Sequence, residues 1–255
     1  MLMRKNTSIY NNLGYWFLSL IVLVFFGFYQ TYFSVFFQPW PDIIHIHFVL
    51  MTLWIVMLIT QPFLIKYKKL HLHRSIGKIS YVLVPLTLLF SFLVIRLEYY
   101  KNIERQSQQV ATGLNHFEAN EILRKAADSP IGIFYFVWFA LFYVLAILNR
   151  HHTSSHPRYM LATALTLLGP TVDRILAIEF HIEIIAGFIP TYAVSFLIAD
   201  TILAILLISD IKNNKPIIPL AVCLIIYITG QALYFIVPHF DWWPLFLQFI
   251  MKPGP

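Results

Sequence analysis

Ten histidines stand in this sequence, several in tight groups: His45-Ile46-His47, His71-Leu72-His73, and His151-His152 with His156 close behind. Imidazole ligates haem iron and other transition metals, and it carries protons near neutral pH. A b-type haem needs two axial imidazoles on facing helices and cations for its propionates. His73 and His156, with Arg74 and Arg158 beside them, offer that set and are the candidate metal ligands. A second chemistry is zinc, which takes nitrogen and oxygen ligands in tetrahedral geometry. His45 and His47 with Glu179, His181 and Glu183 could supply it at the other face. Alternate residues of a helix point about 200° apart, so His45 and His47 bind as a pair only where the helix is frayed. A third chemistry belongs to the charges inside apolar runs, Asp173, Arg174 and Asp200. Together with Gln61 and Gln231 they could line a polar path for a substrate, an ion or a proton, as in a transporter, channel or sensor. Pro85 and Pro170 are kink sites, and a helix broken at Gly169-Pro170 suits a substrate site. Neighbours on a helix diverge, so Asp200 is a better candidate partner for Arg174 than Asp173 is. No serine elbow, phosphate loop or HExxH occurs.

These residues need elements to position them, and composition says which. Of 255 residues, 59% are hydrophobic and 12% charged, too few to clothe a soluble domain. A helix needs roughly 20 apolar residues to cross a bilayer. Seven segments meet or approach that: 14–37, 44–66, 77–98, 131–149, 158–180, 187–209 and 216–238. The first follows Arg4 and Lys5 but is too long for a secretory signal and lacks a small-x-small cleavage site, so it reads as a retained helix. The expected fold is an all-α polytopic transmembrane bundle of about seven spans, one membrane domain over 1–255.

Basic residues set the orientation. With the N-terminus inside, Arg4, Lys5, Lys66, Lys68, Lys69, Arg74, Lys78, Arg150, Arg158, Lys212 and Lys215 are cytoplasmic, 11 of 18. The acids Asp42, Glu98, Glu104, Glu118, Glu121, Asp128, Glu179, Glu183 and Asp241 then fall outside, and the C-terminus is outside too. The net charge of +6 is this leaflet bias and gives no support to nucleic-acid binding. The single cysteine, Cys223, is within an apolar run and forms no internal disulfide. The segment 99–130 is the only sizeable polar loop. Asn115 followed by Glu118 predicts a short helix over about 116–127. The tail 239–255, with Trp242, Trp243 and Phe249, reads as an interfacial anchor.

This topology sorts the histidines into two layers. His45, His47, His116, His181 and His239 are outside; His71, His73, His151, His152 and His156 are inside. Helical phase then picks out stripes, because positions about 7, 11, 14 or 18 apart share a face. His47, Trp54, Leu58 and Gln61 form one, and His73, Gly77, Ser80, Val84, Thr87 and Ser91 another. His156, Met160, Thr163, Leu167, Pro170, Arg174 and His181 form a third, if Pro170 leaves the phase intact. Polar atoms avoid lipid, so the stripes face the interior, as packing glue or as a ligand site. The small residues of the second stripe let a neighbouring helix or a flat cofactor come close.

Two runs carry a resemblance. Leu72–Tyr81, LHRSIGKISY, has the form H-R-x2-G-x3-Y, and His156–Arg174, HPRYMLATALTLLGPTVDR, has the form H-x3-M-x13-R. Together they resemble the paired signatures of a bacterial family of multi-spanning membrane proteins without assigned function. The His–His–Arg set on consecutive helices is similar to b-type cytochromes and ferric-reductase-like membrane proteins. The resemblance covers roughly residues 40–180. It implies a bacterial inner-membrane protein whose marked positions are His47, His73, Arg74, Gly77, Tyr81, His156, Met160 and Arg174. It also implies haem b, with a quinone or another redox partner exchanging electrons. Two-haem cytochromes place two histidines about a leaflet apart on one helix. Here Gln61 occupies that distance from His47, which leaves a single haem as the expectation.

Overall fold

The computed structural model describes residues 9–127, 131–182, 184–185, 187 and 189–252. Arg4, Lys5, Asp128 and Glu183, used above for orientation or as candidate ligands, lie outside the described residues. The chain folds as α1 (Leu13–Gly27), α2 (Asp42–Lys66), α3 (Leu70–Ala111), α4 (Ala119–Ala127), α5 (Ile131–Leu148), α6 (His156–Leu165), α7 (Leu168–Arg174), α8 (Thr191–Lys212), α9 (Ile218–Ile236) and α10 (Trp242–Met251). Two residues each of β1 (Ile184–Ile185) and β2 (Ile189–Pro190) pair antiparallel before α8.

Among the described residues, six helices are long and apolar enough to cross a membrane. The first expected span is shorter: α1 stops at Gly27, and a π-helical turn, Tyr29–Phe33, follows. It still packs lengthwise in the bundle. Gly14 abuts Phe63 near the inner end, and a Cβ on Gly27 would lie 2.7 Å from the Thr171 carbonyl near the outer end. The protein is a multi-pass membrane protein, and its surface agrees. Val22, Leu53, Val82, Leu197 and Ile225 are exposed, which suits contact with lipid. Trp54, Val84, Thr87, Phe142, Thr163 and Leu203 are sealed inside.

α2 and α3 form the most extensive helix pair, joined by a tight turn at Tyr67-Lys68-Lys69. Their facing stripes are those that phase predicts: Trp54, Leu58 and Gln61 against Ser80, Val84 and Thr87 are all buried. Without a hydrophobic drive between helices in lipid, close approach and hydrogen bonds hold such pairs. Tyr143 on α5 donates to Ser80 Oγ at 2.9 Å, linking a third helix to the pair.

The fifth span is interrupted, as Gly169-Pro170 predicts. Pro170 has no N–H for the Thr166 carbonyl, and α6 ends at Leu165 before α7 restarts at Leu168. Gly169 has a packing reason. A Cβ there would collide with the Tyr135 ring, so glycine lets α5 press its tyrosine against the break. A second π-helical turn, Ile175–Glu179, completes the span.

The polar segment after the third span differs from expectation. α3 does not end near 98 but runs to Ala111, and Gly113 closes it in the left-handed region at φ 74°. No Gly or Pro interrupts 86–112, and Glu98–Lys101, Asn102–Arg105 and Glu104–Gln108 pair along its surface. The short helix is present as α4, but its capping contact runs from the Glu118 N–H to Glu121 at 3.0 Å rather than between Asn115 and Glu118. The tail forms the amphipathic α10. Trp243, Leu247 and Met251 pack on Tyr99, Ala126 and Ala127, and Trp243 Nε1 donates to the Ala127 carbonyl at 3.1 Å. Trp242, Leu245 and Phe249 stay exposed, as an interfacial helix requires.

Candidate functional site

Helix direction divides the polar residues by depth. α2 runs from Asp42 to Lys66 and α3 returns, so Gln61 and His73 meet at the end that the basic residues predict to be inner, while His47 and Ser91 meet at the other end. His73 begins α3 and His156 begins α6, 83 positions apart in sequence, and the two rings lie within electrostatic reach of each other. Both are half-buried.

Each of these imidazoles has Nδ1 engaged by the protein. The Nδ1 of His156 is 2.9 Å from the Ala146 carbonyl. A carbonyl only accepts, so Nδ1 carries the proton and Nε2 keeps its lone pair. The carboxamide of Gln61 fills the notch beside Gly77. With its NH2 turned to α3, it donates to the His73 carbonyl at 3.2 Å and to His73 Nδ1, while its oxygen accepts from the Gly77 N–H at 3.2 Å. This orientation puts the His73 proton on Nε2. A half-turn of the amide would let His73 Nδ1–H donate and free Nε2 as a ligand, but it sets the amide oxygen against the His73 carbonyl and the NH2 against the Gly77 N–H. Neither Nε2 has a hydrogen-bond partner among the described residues.

Arg74 is exposed on the same turn as His73. Arg158 is not available in the same way. Its Nε donates to Asp210 at 2.7 Å and its Nη1 to the Ser154 carbonyl, and it is almost wholly buried. Sequence reading missed Asp210. Asp210 stands two positions before Lys212 and passes for a solvated residue at the cytoplasmic end of a span.

His47 and Arg174 belong elsewhere. His47 Nδ1 is 3.4 Å from Ser91 Oγ, and it lies within electrostatic reach of Arg174. Fourteen residues of helix separate His47 from Gln61, roughly 20 Å of rise, so one cofactor does not touch both His47 and His73. Arg174 does not pair with Asp200. Its Nη1 donates to the Pro170 carbonyl at 3.1 Å and its guanidinium lies 4.5 Å from the Phe28 ring. Asp173 accepts from the Tyr135 hydroxyl at 3.1 Å and from Ser195, tying α7 to α5 and α8. Asp200 accepts from Gln231 Nε2 at 3.0 Å, tying α8 to α9. These carboxylates are interhelical fastenings, and the third stripe ends at Arg174, since His181 is exposed at φ 54° beyond the helix.

Asp200→Asn tests that assignment. Asparagine keeps the oxygen that Gln231 bonds, and such contacts are worth ~0.6 kcal/mol on average. The unfolding midpoint in detergent and the proton permeability of proteoliposomes should both match wild type. A wild-type flux abolished by Asp200→Asn would instead revive a transport path.

Among the described residues, which leave out Glu183, the expected outer-face metal set is not brought together. His45 Nδ1 bonds the Tyr32 hydroxyl at 2.9 Å, and His47 faces Ser91, as the divergence of alternate residues predicts. Glu179 accepts from Gln30 Nε2 at 2.8 Å. Among the described residues, no three His, Cys, Asp or Glu side chains converge as a metal ion would require. Comparison with protein-family models, curated proteins and solved structures returns no match, so a functional reading rests on this geometry.

Proposed function

We propose that the protein is a bacterial inner-membrane redox protein that holds one b-type haem at the inner end of the bundle, with His73 and His156 as its axial pair. The observation that carries this reading is that these two imidazoles lie at the same end of the bundle within electrostatic reach of each other, each with Nδ1 engaged by a protein group and Nε2 without a partner among the described residues. Metal-ligating histidines donate the N–H of the ring nitrogen that does not bind the metal, as His156 does to Ala146; His73 would bind through Nε2 only after giving up the proton that its pairing with Gln61 places there. A bound haem would supply one-electron transfer, and the protein would tune it by ligand basicity and burial. Ala146 fixes the His156 ring in its ligating tautomer. Gln61 sets the His73 tautomer and positions its ring. Arg74, exposed beside His73, is the cation placed to face a propionate, and Arg158 is excluded from that role by Asp210. A quinone or a redox protein would exchange the electron.

The test is a dithionite-reduced minus air-oxidised absorbance spectrum of detergent-purified protein from haem-supplied cells. A b-type difference at near-stoichiometric haem is the expected result. A flat spectrum with haem available ends this reading.

A further inference from the structure

At the end of the bundle opposite the histidine pair, three helices form a cap. α3 continues past Glu98 to Ala111, α4 packs along it, and α10 lies against both through Tyr99, Ala126 and Ala127. Roughly 39 Å of helix rise separates Tyr99 from His73, so the cap is remote from the proposed haem pair. The three helices bound an open groove of about 450 Å³. Ile103 of α3, Leu123 of α4 and Phe249 of α10 give it apolar walls, and Tyr99, Gln248 and Lys252 give it polar groups. Tyr100, also at the groove, donates its hydroxyl to the Met251 carbonyl at 3.1 Å and so fastens the last turn of α10 to α3.

The groove combines an apolar body with hydrogen-bond donors. Tyr99 is 5% exposed, and its hydroxyl has no hydrogen-bond partner among the described residues. A buried hydroxyl is stabilised by an acceptor, and most strongly by a charged one. Lys252 is exposed, is the only charged residue of the lining, and has no ion-pair partner among the described residues. The carbonyl end of α10 offsets part of its charge, so the ammonium acts together with the neutral donors of Tyr99 and Gln248. Two other cations of the cap are already paired, Arg124 with Asp241 and Lys101 with Glu98. Hydropathy ends the third span near Glu98, and Trp242 and Phe249 are exposed on α10. The groove therefore stands where headgroups meet acyl chains.

We propose that this groove binds a long-chain carboxylate, the anion of a fatty acid. One carboxylate oxygen accepts from the Tyr99 hydroxyl, the other meets the Lys252 ammonium, and the chain lies along Ile103, Leu123 and Phe249. A planar carboxylate matches one hydroxyl plus one cation, and a single chain matches a single groove, whereas a phospholipid brings two chains to it. The test is native mass spectrometry of the full-length protein in neutral-detergent micelles. At a pH of about 8.5 carboxylates are ionised and lysine is still charged. Palmitate is compared with hexadecanol, which has the same chain and no charge, and phosphatidylglycerol is added as a competitor. Lys252→Gln and Tyr99→Phe probe the polar groups. Arg105→Gln, exposed on α3 and outside the groove, reports general surface charge.

The expected result is retention of palmitate over hexadecanol by at least ~5-fold, the effect of one exposed ion pair. Lys252→Gln should remove that preference, Tyr99→Phe should weaken palmitate ~10-fold through a lost hydrogen bond to a charged group, and Arg105→Gln should change neither. Equal retention of palmitate and hexadecanol by the wild-type protein overturns the proposal, as does palmitate binding untouched by both Lys252→Gln and Tyr99→Phe. An equal loss in Arg105→Gln reduces the effect to surface charge and overturns it too. Phosphatidylglycerol displacing palmitate would give the groove to a phospholipid and overturn the assignment of its occupant.

Discussion

His156→Ala and His73→Ala should each abolish the b-type difference spectrum, with bound haem falling from near-stoichiometric to a tenth or less. The argument starts from what each ring already does. His156 is locked by its bond to the Ala146 carbonyl at 2.9 Å, so its Nε2 is a preformed ligand. His73 is held differently, because the Gln61 orientation that satisfies its own hydrogen bonds donates to His73 Nδ1 and leaves the ring proton on Nε2, which ligation would displace. Supporting groups of this kind typically change metal affinity ~10–100-fold, and the ligand itself changes it more. Gln61→Leu should therefore keep haem that dissociates ~10–100-fold more readily, while either histidine variant loses it outright. His47→Ala should leave the spectrum unchanged, since His47 lies at the other end of α2. Haem at wild-type occupancy in both His73→Ala and His156→Ala would sink the assignment. Gel filtration and thermal unfolding of each apoprotein separate lost ligation from lost folding.

The contrast between His47 and His73 also marks what the sequence could reveal. The stripes on α2 and α3 were legible because helix geometry fixes which residues share a face, and lipid forces polar atoms inward. The break at Pro170 was legible because a missing N–H acts locally. The length of α3 was not. Hydropathy marks where lipid ends, near Glu98, whereas the helix ends where backbone conformation changes, at Gly113. The pairing of charges was not legible either. Arg174 and Asp200 looked like partners because both are charged and intramembrane. Yet Asp200 and Gln231 sit on consecutive antiparallel helices at similar depth, a clue that favours the neutral partner over the charged one. The layers of histidine were visible from topology alone. Which groups touch was decided by helix neighbours, and that placed His73 against Gln61, with His156 within electrostatic reach.

Asp210→Ala is expected to be the most destabilising single change outside the proposed haem site. The Arg158 and Asp210 side chains are 4% and 2% exposed, and their atoms lie 2.7 Å apart. Removing one partner of such a pair leaves an uncompensated buried charge, which typically costs ~3–5 kcal/mol. Here the loss spreads further. Asp210 also accepts the Tyr10 hydroxyl, so the segment before α1 loses its tether to α8 together with Arg158. The effect should not be read as the worth of the pair. Replacing both residues by apolar ones of similar volume typically recovers most of the loss, because both desolvation costs vanish together. Arg158→Leu with Asp210→Leu should therefore unfold nearer to wild type than Asp210→Ala does. Tyr10→Phe, which removes one hydrogen bond and keeps the ring against Arg158 and Lys215, should cost only ~1 kcal/mol. Unfolding midpoints in one detergent at fixed ionic strength, combined in a double-mutant cycle, measure the coupling. A double variant as unstable as the sum of its singles would mean that the two charges do not act on each other. The inner end of the bundle would then be held by packing around Tyr10 and not by the ion pair.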